Sequence, residues 1–273
     1  MRYDDGSSPK GLVHRGGGAL AGENTLEAFA LATGLGFRYL ESDVRASSDG
    51  YAVLVHDATL DRTTEASGPV VGHTLAQLRA LRVRPPGAGA PTGGICALED
   101  ALDTFDQACF SLDLKDAAAI GPLVRAVRRT RAAERVCVAG AWDGWLDAVR
   151  DALPGVSTAL GWRSLTALLT CARVGVRPPR QVATGEFAHV PMALGTVAVS
   201  ADRVVEAAHD LGLRVVTWTI DEPRLIERVL DAGVDAVISD RPDALRETLL
   251  RRGAWRAACA TTLEARLEAR ETA

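Results

Sequence analysis

Short runs rich in β-branched and apolar residues alternate with longer helical stretches along almost the whole chain. This alternation is typical of βαβ units, in which helices join parallel strands and pack on the sheet. Eight runs qualify as strands, and 273 residues is an ordinary length for a closed barrel of eight strands. We therefore predict an α/β fold, a single TIM-type (β/α)8 barrel. The predicted strands are 11–14, 38–44, 110–115, 135–139, 156–160, 181–184, 213–219 and 235–238.

Helical periodicity and capping residues place helices between these strands. The clearest are predicted over 24–35, 200–211 and 221–232. Thr25 or Asn24 is positioned to cap the first helix, and Ser200 to cap the second. Strands and helices therefore follow one another in the order that a (β/α)8 barrel requires.

One segment departs from this alternation after the second predicted strand. The run 51–55 follows a Ser-Asp-Gly turn, so we predict that it folds back antiparallel onto that strand. Residues 56–96 then contain one short helix, 74–81, and a loop rich in proline and glycine. We interpret 56–96 as a small insertion over the barrel mouth within one domain, 1–253, followed by a polar helical tail at 254–273.

Composition limits the partners that the chain can bind. A formal net charge of −4 gives no long-range attraction for nucleic acid, so we expect no such partner, and a phosphate-bearing substrate must be held by a few local cations. The sequence contains no long apolar stretch and its first residues are polar, so we expect neither a transmembrane segment nor a signal peptide. The five cysteines include no Cys-x-x-Cys pair, which is typical of a reducing compartment, and we expect a cytoplasmic protein.

Side chains able to carry chemistry lie where several predicted strands end. In a barrel, active sites are built from the carboxyl ends of the strands and the loops that follow them. The residues are His14 and Arg15 after the first strand, Glu41 and Asp43 on the second, His56 after the hairpin strand, and Asp113 and Lys115 on the third. Glu41 and Asp43 are two residues apart on one strand, and Asp113 and Lys115 are two residues apart on another. The two members of each pair therefore point to the same face of their strand. We predict that all seven converge at one rim of the barrel.

Three of these residues, Glu41, Asp43 and Asp113, are carboxylates. Oxygen donors of this kind suit a hard divalent cation, whereas histidine alone would suggest zinc. We predict one divalent cation, Mg²⁺ or Ca²⁺. The alternative is that the three carboxylates form ion pairs inside the barrel with Arg15 and Lys115.

Two histidines supply the proton transfers that hydrolysis of a phosphodiester needs. His14 and His56 have reference pKa values near neutrality, so one can act as base while the other acts as acid. Arg15 can hold two phosphate oxygens and Lys115 adds a point charge, which together provide local positive charge. We expect the remaining histidines to be surface or hydrogen-bonded structural residues; these are His73, His189 and His209.

Five ordered blocks of this sequence resemble the glycerophosphodiester phosphodiesterases, a branch of the phospholipase C-like barrel enzymes. The blocks are HRGGG…GENTLEAF at 14–29, YLESDVRASSDGYAVLVHDATLDRTT at 39–64, SLDLK at 111–115, VVTWTIDE at 215–222 and GVDAVISDRPD at 233–243. The resemblance covers about residues 11 to 250. It implies a small-molecule glycerophosphodiester as substrate, and glycerol 3-phosphate and an alcohol as products.

The resemblance also implies a role for each matching side chain. His14 and His56 would be general acid and base, Glu41, Asp43 and Asp113 metal ligands, and Arg15 and Lys115 phosphate-binding residues. Glu23 is a possible further metal ligand, and Asn24 a hydrogen-bond donor in the same loop. Trp218 would form an apolar wall for the glycerol moiety, with a place in the barrel core as the alternative.

Three positions depart from the family pattern. Asp113 stands where glutamate is usual, which shortens the side chain by one methylene and bears on metal preference. Gly22 replaces the usual proline and loosens its loop. Asp221 replaces a frequent asparagine, and we interpret it as a cap of the following helix in preference to a partner for a cationic head group such as choline.

Two other functions stay open at this stage. A lysophospholipase D-like activity on lipid phosphodiesters would require an apolar groove, for which Leu75, Leu78 and Leu81 have helical spacing, although we expect them to pack onto the barrel. A degenerate barrel would bind a phosphodiester without turnover, but the acid–base and phosphate-binding residues are all present. The sequence predicts neither the leaving alcohol nor the oligomeric state.

Overall fold

The computed structural model describes residues 2–194, 197–198 and 201–257. The strands are β1 (Lys10–Val13), β2 (Tyr39–Ala46), β3 (Ala52–Leu54), β4 (Cys109–Leu114), β5 (Val136–Gly140), β6 (Ser157–Thr158), β7 (Phe187–Pro191), β8 (Ala193–Leu194), β9 (Val197–Ala198), β10 (Arg214–Trp218) and β11 (Ala236–Ser239). The helices are α1 (Leu26–Gly34), α2 (Leu75–Arg79), α3 (Leu98–Thr104), α4 (Ile120–Arg129), α5 (Asp143–Ala152), α6 (Trp162–Val174), α7 (Ala201–His209), α8 (Pro223–Asp231) and α9 (Pro242–Arg251).

Eight parallel strands form the barrel. They are hydrogen-bonded in the order β6, β5, β4, β2, β1, β11, β10 and β7. The circle closes between β6 and β7, where Ala159 pairs with Phe187 and the Leu160 N–H donates to the Phe187 carbonyl at 2.8 Å. The prediction of a (β/α)8 barrel is therefore confirmed.

The sixth predicted strand is wrong, whereas the other seven overlap strands of the barrel. Residues 181–184 overlap a single turn of 3-10 helix, Arg180–Val182. Pro178 and Pro179 precede this turn and have no N–H group to donate to a sheet. The barrel strand in this region is β7, which lies further along the chain and pairs with β10 along its whole length. This shift places His189 in the barrel wall.

Helix ends follow the local capping chemistry. α1 begins after Thr25, whose Oγ1 accepts the Ala28 N–H at 3.2 Å, so the cap is Thr25 and not Asn24. α8 begins with Pro223, whose fixed φ suits the first turn of a helix. In the described ranges, each helix falls short of the length and apolarity that a bilayer span needs. The predicted cap Ser200 and residues 258–273 of the predicted tail lie outside the described residues.

An aromatic side chain from the N-terminal segment closes the amino end of the barrel. Tyr3 is 2% exposed, and its ring meets Tyr39 and Phe187 edge to face at centroid distances of 5.7 and 5.2 Å. These two partners are the first residues of β2 and β7, so Tyr3 lies at the amino ends of the strands. Access to the barrel interior is therefore from the carboxyl ends of the strands.

The segment after β2 forms an excursion beside the barrel mouth. β3 pairs antiparallel with β2, as predicted. α2 is capped by Thr74, which exchanges hydrogen bonds with Gln77 in a capping box. Leu75 and Leu78 are buried in a cluster that the excursion forms with β3. The expectation that they pack onto the barrel is wrong, because this cluster is separate from the barrel core. The leucines nevertheless pack inward and do not form an exposed apolar groove.

Candidate active site

A cavity of about 330 Å³ opens at the carboxyl ends of the barrel strands. Eight of the predicted functional residues line it: His14, Arg15, Glu41, Asp43, His56, Asp113, Lys115 and Trp218. They come from β2, β4 and β10 and from the segments that directly follow β1, β3 and β4, so distant parts of the chain meet at one rim. The predicted residues Glu23 and Asn24 lie behind this lining, where they hydrogen-bond to Arg15 and Asp43 respectively.

The carboxylate of Asp43 is buried among positive charges. Its side chain is 1% exposed, and one of its oxygens lies 2.9 Å from Lys115 Nζ. The other oxygen accepts a hydrogen bond from Asn24 Nδ2 at 3.0 Å and lies 3.2 Å from Arg15 Nε. Burial alone would raise the pKa of Asp43, but Lys115 and Arg15 outweigh it and hold the pKa below its ordinary value. Asp43 is therefore ionised at neutral pH.

Glu41 faces the same cavity with less compensation. Its side chain is 8% exposed, accepts the backbone N–H of Arg15 at 3.1 Å and lies 3.8 Å from His14 Nε2. Burial, followed by the negative charge of Asp43, raises the pKa of Glu41 to about 7. In the described part of the chain, no lysine or arginine side chain forms an ion pair with this carboxylate. Glu41 is thus a buried carboxylate that an added cation would stabilise.

Two of the cavity histidines, His14 and His56, are each held by an aspartate. His14 Nδ1 lies 2.9 Å from Asp240 Oδ1, and His56 Nδ1 lies 2.7 Å from Asp57 Oδ1. Burial alone would lower the pKa of His14, but Glu41 and Asp240 outweigh it and the pKa is raised. With Nδ1 engaged in both rings, Nε2 is the nitrogen left for a ligand. Sequence reasoning did not identify either aspartate as a functional residue.

Asp221 supports this arrangement, and its interpretation as a helix cap is wrong. The N-cap position of α8 is Glu222, which makes no capping bond with its side chain. Asp221 instead accepts hydrogen bonds from the Ser239 hydroxyl at 2.9 Å and from the backbone N–H of Asp240 at 2.8 Å. It therefore fixes the loop that carries the partner of His14.

Arg62, in the excursion, links the His56–Asp57 pair to the loop after β1, which carries Glu23. Arg62 donates to Asp57 at 2.6 and 3.1 Å and to both oxygens of Glu23 at 2.7 and 2.8 Å. Glu23 also accepts from Arg15 at 3.1 Å. The Arg62 hydrogen bonds hold the pKa of Asp57 well below its usual range. Both oxygens of Glu23, the possible further metal ligand, are thus bound by arginines.

The donors around the cavity suit a hard divalent cation in kind, because three buried or half-buried carboxylates face it. In the described ranges Glu41 lies near His14, but no lysine or arginine side chain pairs with it. Lys115 supplies one positive charge between Asp43 and Asp113. Over the ranges that the structure describes, no three histidine, cysteine, aspartate or glutamate side chains are gathered closely enough to hold an ion as they stand. Asp113 forms an ion pair with Lys115.

The opposite side of the cavity is apolar. β5, α6 and the loops that follow β5 and β6 contribute a wall of small and apolar side chains: Ala139, Ala141, Ala159, Leu160, Trp162 and Leu165. Trp218 stands at the rim with 38% of its surface exposed, which places it at the cavity and not in the barrel core. His189 also lines the cavity, so the expectation that it is a surface or hydrogen-bonded structural residue is wrong. His73 and His209, by contrast, bond to the Pro69 carbonyl and to Asp235.

The glycine at position 22 has a local explanation. Its N–H donates to the Pro91 carbonyl at 2.8 Å, a bond that proline cannot make. A Cβ at this position would lie 2.2 Å from Thr92 Oγ1. The departure from the usual proline therefore lets the loop of the excursion pack closely on the loop that carries Glu23.

Comparison with known proteins points to one family. The family model for glycerophosphoryl diester phosphodiesterases matches residues 14–244. A Mycobacterium tuberculosis protein described as probable glycerophosphodiester phosphodiesterase 2 is 36% identical over 235 residues, which cover 85% of this chain and 87% of that protein. The glycerophosphodiester phosphodiesterase of Caldanaerobacter subterraneus is 28% identical over 257 residues, covering 89% of this chain and 98% of that protein.

Solved structures share the same fold. A glycerophosphodiester phosphodiesterase from Agrobacterium tumefaciens has a TM-score of 0.72 at 23% identity, over 87% of this chain and 98% of that one. A phosphodiesterase from Oleispira antarctica, solved in complex with the product sn-glycerol-3-phosphate, has a TM-score of 0.71 at 21% identity, over 89% of this chain and 97% of that one. These two likenesses extend over almost the whole barrel.

Proposed function

The chain belongs to the glycerophosphoryl diester phosphodiesterase family, and we propose that it hydrolyses glycerophosphodiesters to glycerol 3-phosphate and an alcohol. The observation that carries this proposal is a pair of imidazoles that face one cavity together with two cationic side chains. Each imidazole is hydrogen-bonded to a carboxylate. His14 and His56 make these bonds at 2.9 and 2.7 Å. Arg15 and Lys115 reach the same cavity.

The two histidines are suited to act as general base and general acid. In each pair the Nδ1–H donates to the aspartate, so that Nε2 exchanges protons with the substrate. One Nε2 removes a proton from water or from the glycerol 2-hydroxyl as that oxygen attacks phosphorus. The other gives a proton to the alcohol oxygen as its bond to phosphorus breaks. If the 2-hydroxyl attacks, the first product is a cyclic phosphate, and water must then break its bond between phosphorus and the 2-oxygen to give glycerol 3-phosphate. Each transfer is worth about 10²–10⁴-fold in rate.

Arg15 and Lys115 are suited to hold the phosphate. Arg15 Nε is buried and, among the described residues, has no acceptor in hydrogen-bonding geometry, although it lies 3.2 Å from Asp43. Burial alone would lower the pKa of Lys115, but Asp113 and Asp43 outweigh it and raise the pKa, so the ammonium group stays charged. A phosphodiester carries one negative charge, and these two local cations supply the attraction that a chain of net charge −4 lacks.

We propose that Glu41, Asp43 and Asp113 hold one divalent cation, Mg²⁺ or Ca²⁺. When bound, such an ion supplies positive charge to the phosphoryl oxygens and to a substrate hydroxyl. The buried carboxylate of Glu41 supports this assignment, because no lysine or arginine side chain in the described residues pairs with it. Glu23 is already engaged by Arg15 and Arg62, which favours a supporting position for it over direct ligation.

The cavity volume favours a small diester as the substrate. About 330 Å³ is at the lower end of the range for ligand pockets, and it suits a glycerophosphodiester better than a lipid with an acyl chain. The inward packing of Leu75 and Leu78 points the same way.

Product analysis tests the proposal. Glycerophosphocholine is incubated with the protein in Mg²⁺, in Ca²⁺ or in excess chelator, and glycerol 3-phosphate is measured with a coupled dehydrogenase. We expect glycerol 3-phosphate with either ion and loss of turnover in chelator that returns when the ion is restored. Release of choline phosphate in place of glycerol 3-phosphate, or binding without turnover in all three conditions, would contradict the proposed reaction.

A further inference from the structure

His189 is a histidine of the cavity wall that has no partner in the described structure. It lies in β7, and its imidazole makes no hydrogen bond or ion pair with any residue in the described ranges. Its Nε2 atom is shielded from solvent as well as unpaired. A buried polar atom without a partner destabilises a fold, so a retained one calls for a ligand or a bound water.

Burial keeps this imidazole neutral. Burial lowers the pKa of His189 to about 4, so the ring is uncharged at physiological pH. An uncharged imidazole has one N–H donor and one acceptor nitrogen, which match a hydroxyl group. It is poorly suited to hold the phosphate, which needs the cations on the other side of the cavity.

The position of His189 is deep in the cavity. In the register of β7 with β10, His189 pairs with Val216, whereas Pro191 pairs with Trp218. His189 is therefore one inward-facing layer closer to the amino end of the barrel than Trp218, which stands at the rim. Val216 belongs to the apolar cluster inside the barrel. His189 thus marks the floor of the cavity on its apolar side.

The chemistry of this floor indicates which part of a diester it fits. The carboxylates that line the cavity belong to β2 and β4, so the floor near His189 offers no countercharge to a cationic head group. An uncharged unit with hydrocarbon and hydroxyl groups suits Ala159, Leu165 and His189 together. Both products leave through the open mouth, but the alcohol departs while the phosphate of glycerol 3-phosphate is still held by Arg15 and Lys115. This order favours the deeper end for the retained glycerol unit.

We propose that His189 is a specificity-determining residue that hydrogen-bonds a hydroxyl of the glycerol unit retained in the product. This inference rests on the proposed function, because that function defines which unit is retained. The phosphate is held at the rim by Arg15 and Lys115, and the glycerol extends from it toward β7.

Calorimetric titration separates the two parts of the product. The probes are sn-glycerol 3-phosphate and inorganic phosphate, each titrated in the presence of Mg²⁺ into the wild type, His189→Leu and His189→Gln. His73→Leu, in the excursion, is the matched control. We expect His189→Leu to weaken glycerol 3-phosphate binding about tenfold and to leave phosphate binding unchanged, because one hydrogen bond to the glycerol is lost. The glutamine variant keeps a donor and an acceptor and should bind glycerol 3-phosphate within about threefold of wild type.

Unchanged binding of glycerol 3-phosphate by His189→Leu would overturn the inference, as would equal weakening for both anions, which indicates a structural role. Either result leaves the proposed function standing if the wild type binds glycerol 3-phosphate more tightly than phosphate. A wild type that does not bind glycerol 3-phosphate would contradict both.

Discussion

Two histidines of the cavity, His14 and His56, are held by aspartates that reach them in different ways. Asp57 follows His56 directly in the chain, whereas Asp240 comes from the loop after β11 and is held through its backbone by Asp221. In the proposed reaction, such a carboxylate would fix the proton on Nδ1 and stabilise the imidazolium that forms during turnover. It would contribute to the rate without touching the substrate.

Asp240→Asn tests this positioning role. We expect the substitution to lower kcat by about 10- to 100-fold with little change in KM, because the amide neither stabilises an imidazolium nor fixes the reactive tautomer. Steady-state kinetics on glycerophosphocholine measure the effect. Asp243→Asn is the control, since Asp243 pairs with Arg241 next to the same loop. A kcat for Asp240→Asn equal to that of Asp243→Asn would show that the His14–Asp240 contact has no part in the reaction.

At the residue scale, the sequence predicts candidate functional residues that lie at the end of a strand or are spaced by two residues along a strand. Glu41, Asp43 and Asp113 were identifiable because spacing by two residues places side chains on one face of a strand. Asp240 was not, because 226 residues separate it from His14 and only closure of the barrel between β11 and β1 brings them together. His189 was missed because its strand was predicted in the wrong place.

At the element scale, the excursion after β3 contributes directly to the site. Arg62 bridges Asp57 and Glu23, and Glu23 in turn contacts Arg15. The excursion therefore links the loop after β3 to the loop after β1. Both loops carry one of the cavity histidines.

Arg62→Met tests whether this link matters for catalysis. The methionine keeps an unbranched side chain but removes four hydrogen bonds to two carboxylates, so we expect kcat/KM to fall about tenfold or more. Arg79→Met is the matched control in the same excursion, where Arg79 pairs with Asp100 away from the cavity. Both variants are assayed on glycerophosphocholine and compared by thermal unfolding. Equal activity of the two variants at equal stability would refute a functional link through Arg62.

Elements with strong local signals were predictable, and elements defined by tertiary pairing were not. The β2–β3 hairpin and the helices α1 and α8 carry a turn, a cap or an N-terminal proline in the sequence. β7 was predicted at 181–184 but lies at Phe187–Pro191, where it is defined by its pairing with β10. Local periodicity is too weak to locate strands of this kind, since their position is fixed by closure of the barrel.

At the scale of the whole molecule, the side chains that close the barrel and the side chains able to carry chemistry lie at opposite ends of the barrel. Aromatic and apolar side chains around Tyr3 close the amino end, while the charged groups gather at the carboxyl end. Within that end, the side formed by β1, β2 and β4 is charged and the side formed by β5, β6 and α6 is apolar. This division suits a substrate with an anionic centre and an uncharged unit beside it.

The account depends most on His14 and His56 acting together at one rim, and alanine substitution tests this directly. Turnover of glycerophosphocholine is measured for His14→Ala, His56→Ala and the control His73→Ala, with thermal unfolding recorded for all three. We predict that each of the first two loses about 10²–10⁴-fold in kcat while the control keeps wild-type turnover, and that all three stay folded. Folded His14→Ala and His56→Ala proteins that retain most of the wild-type kcat would contradict the account.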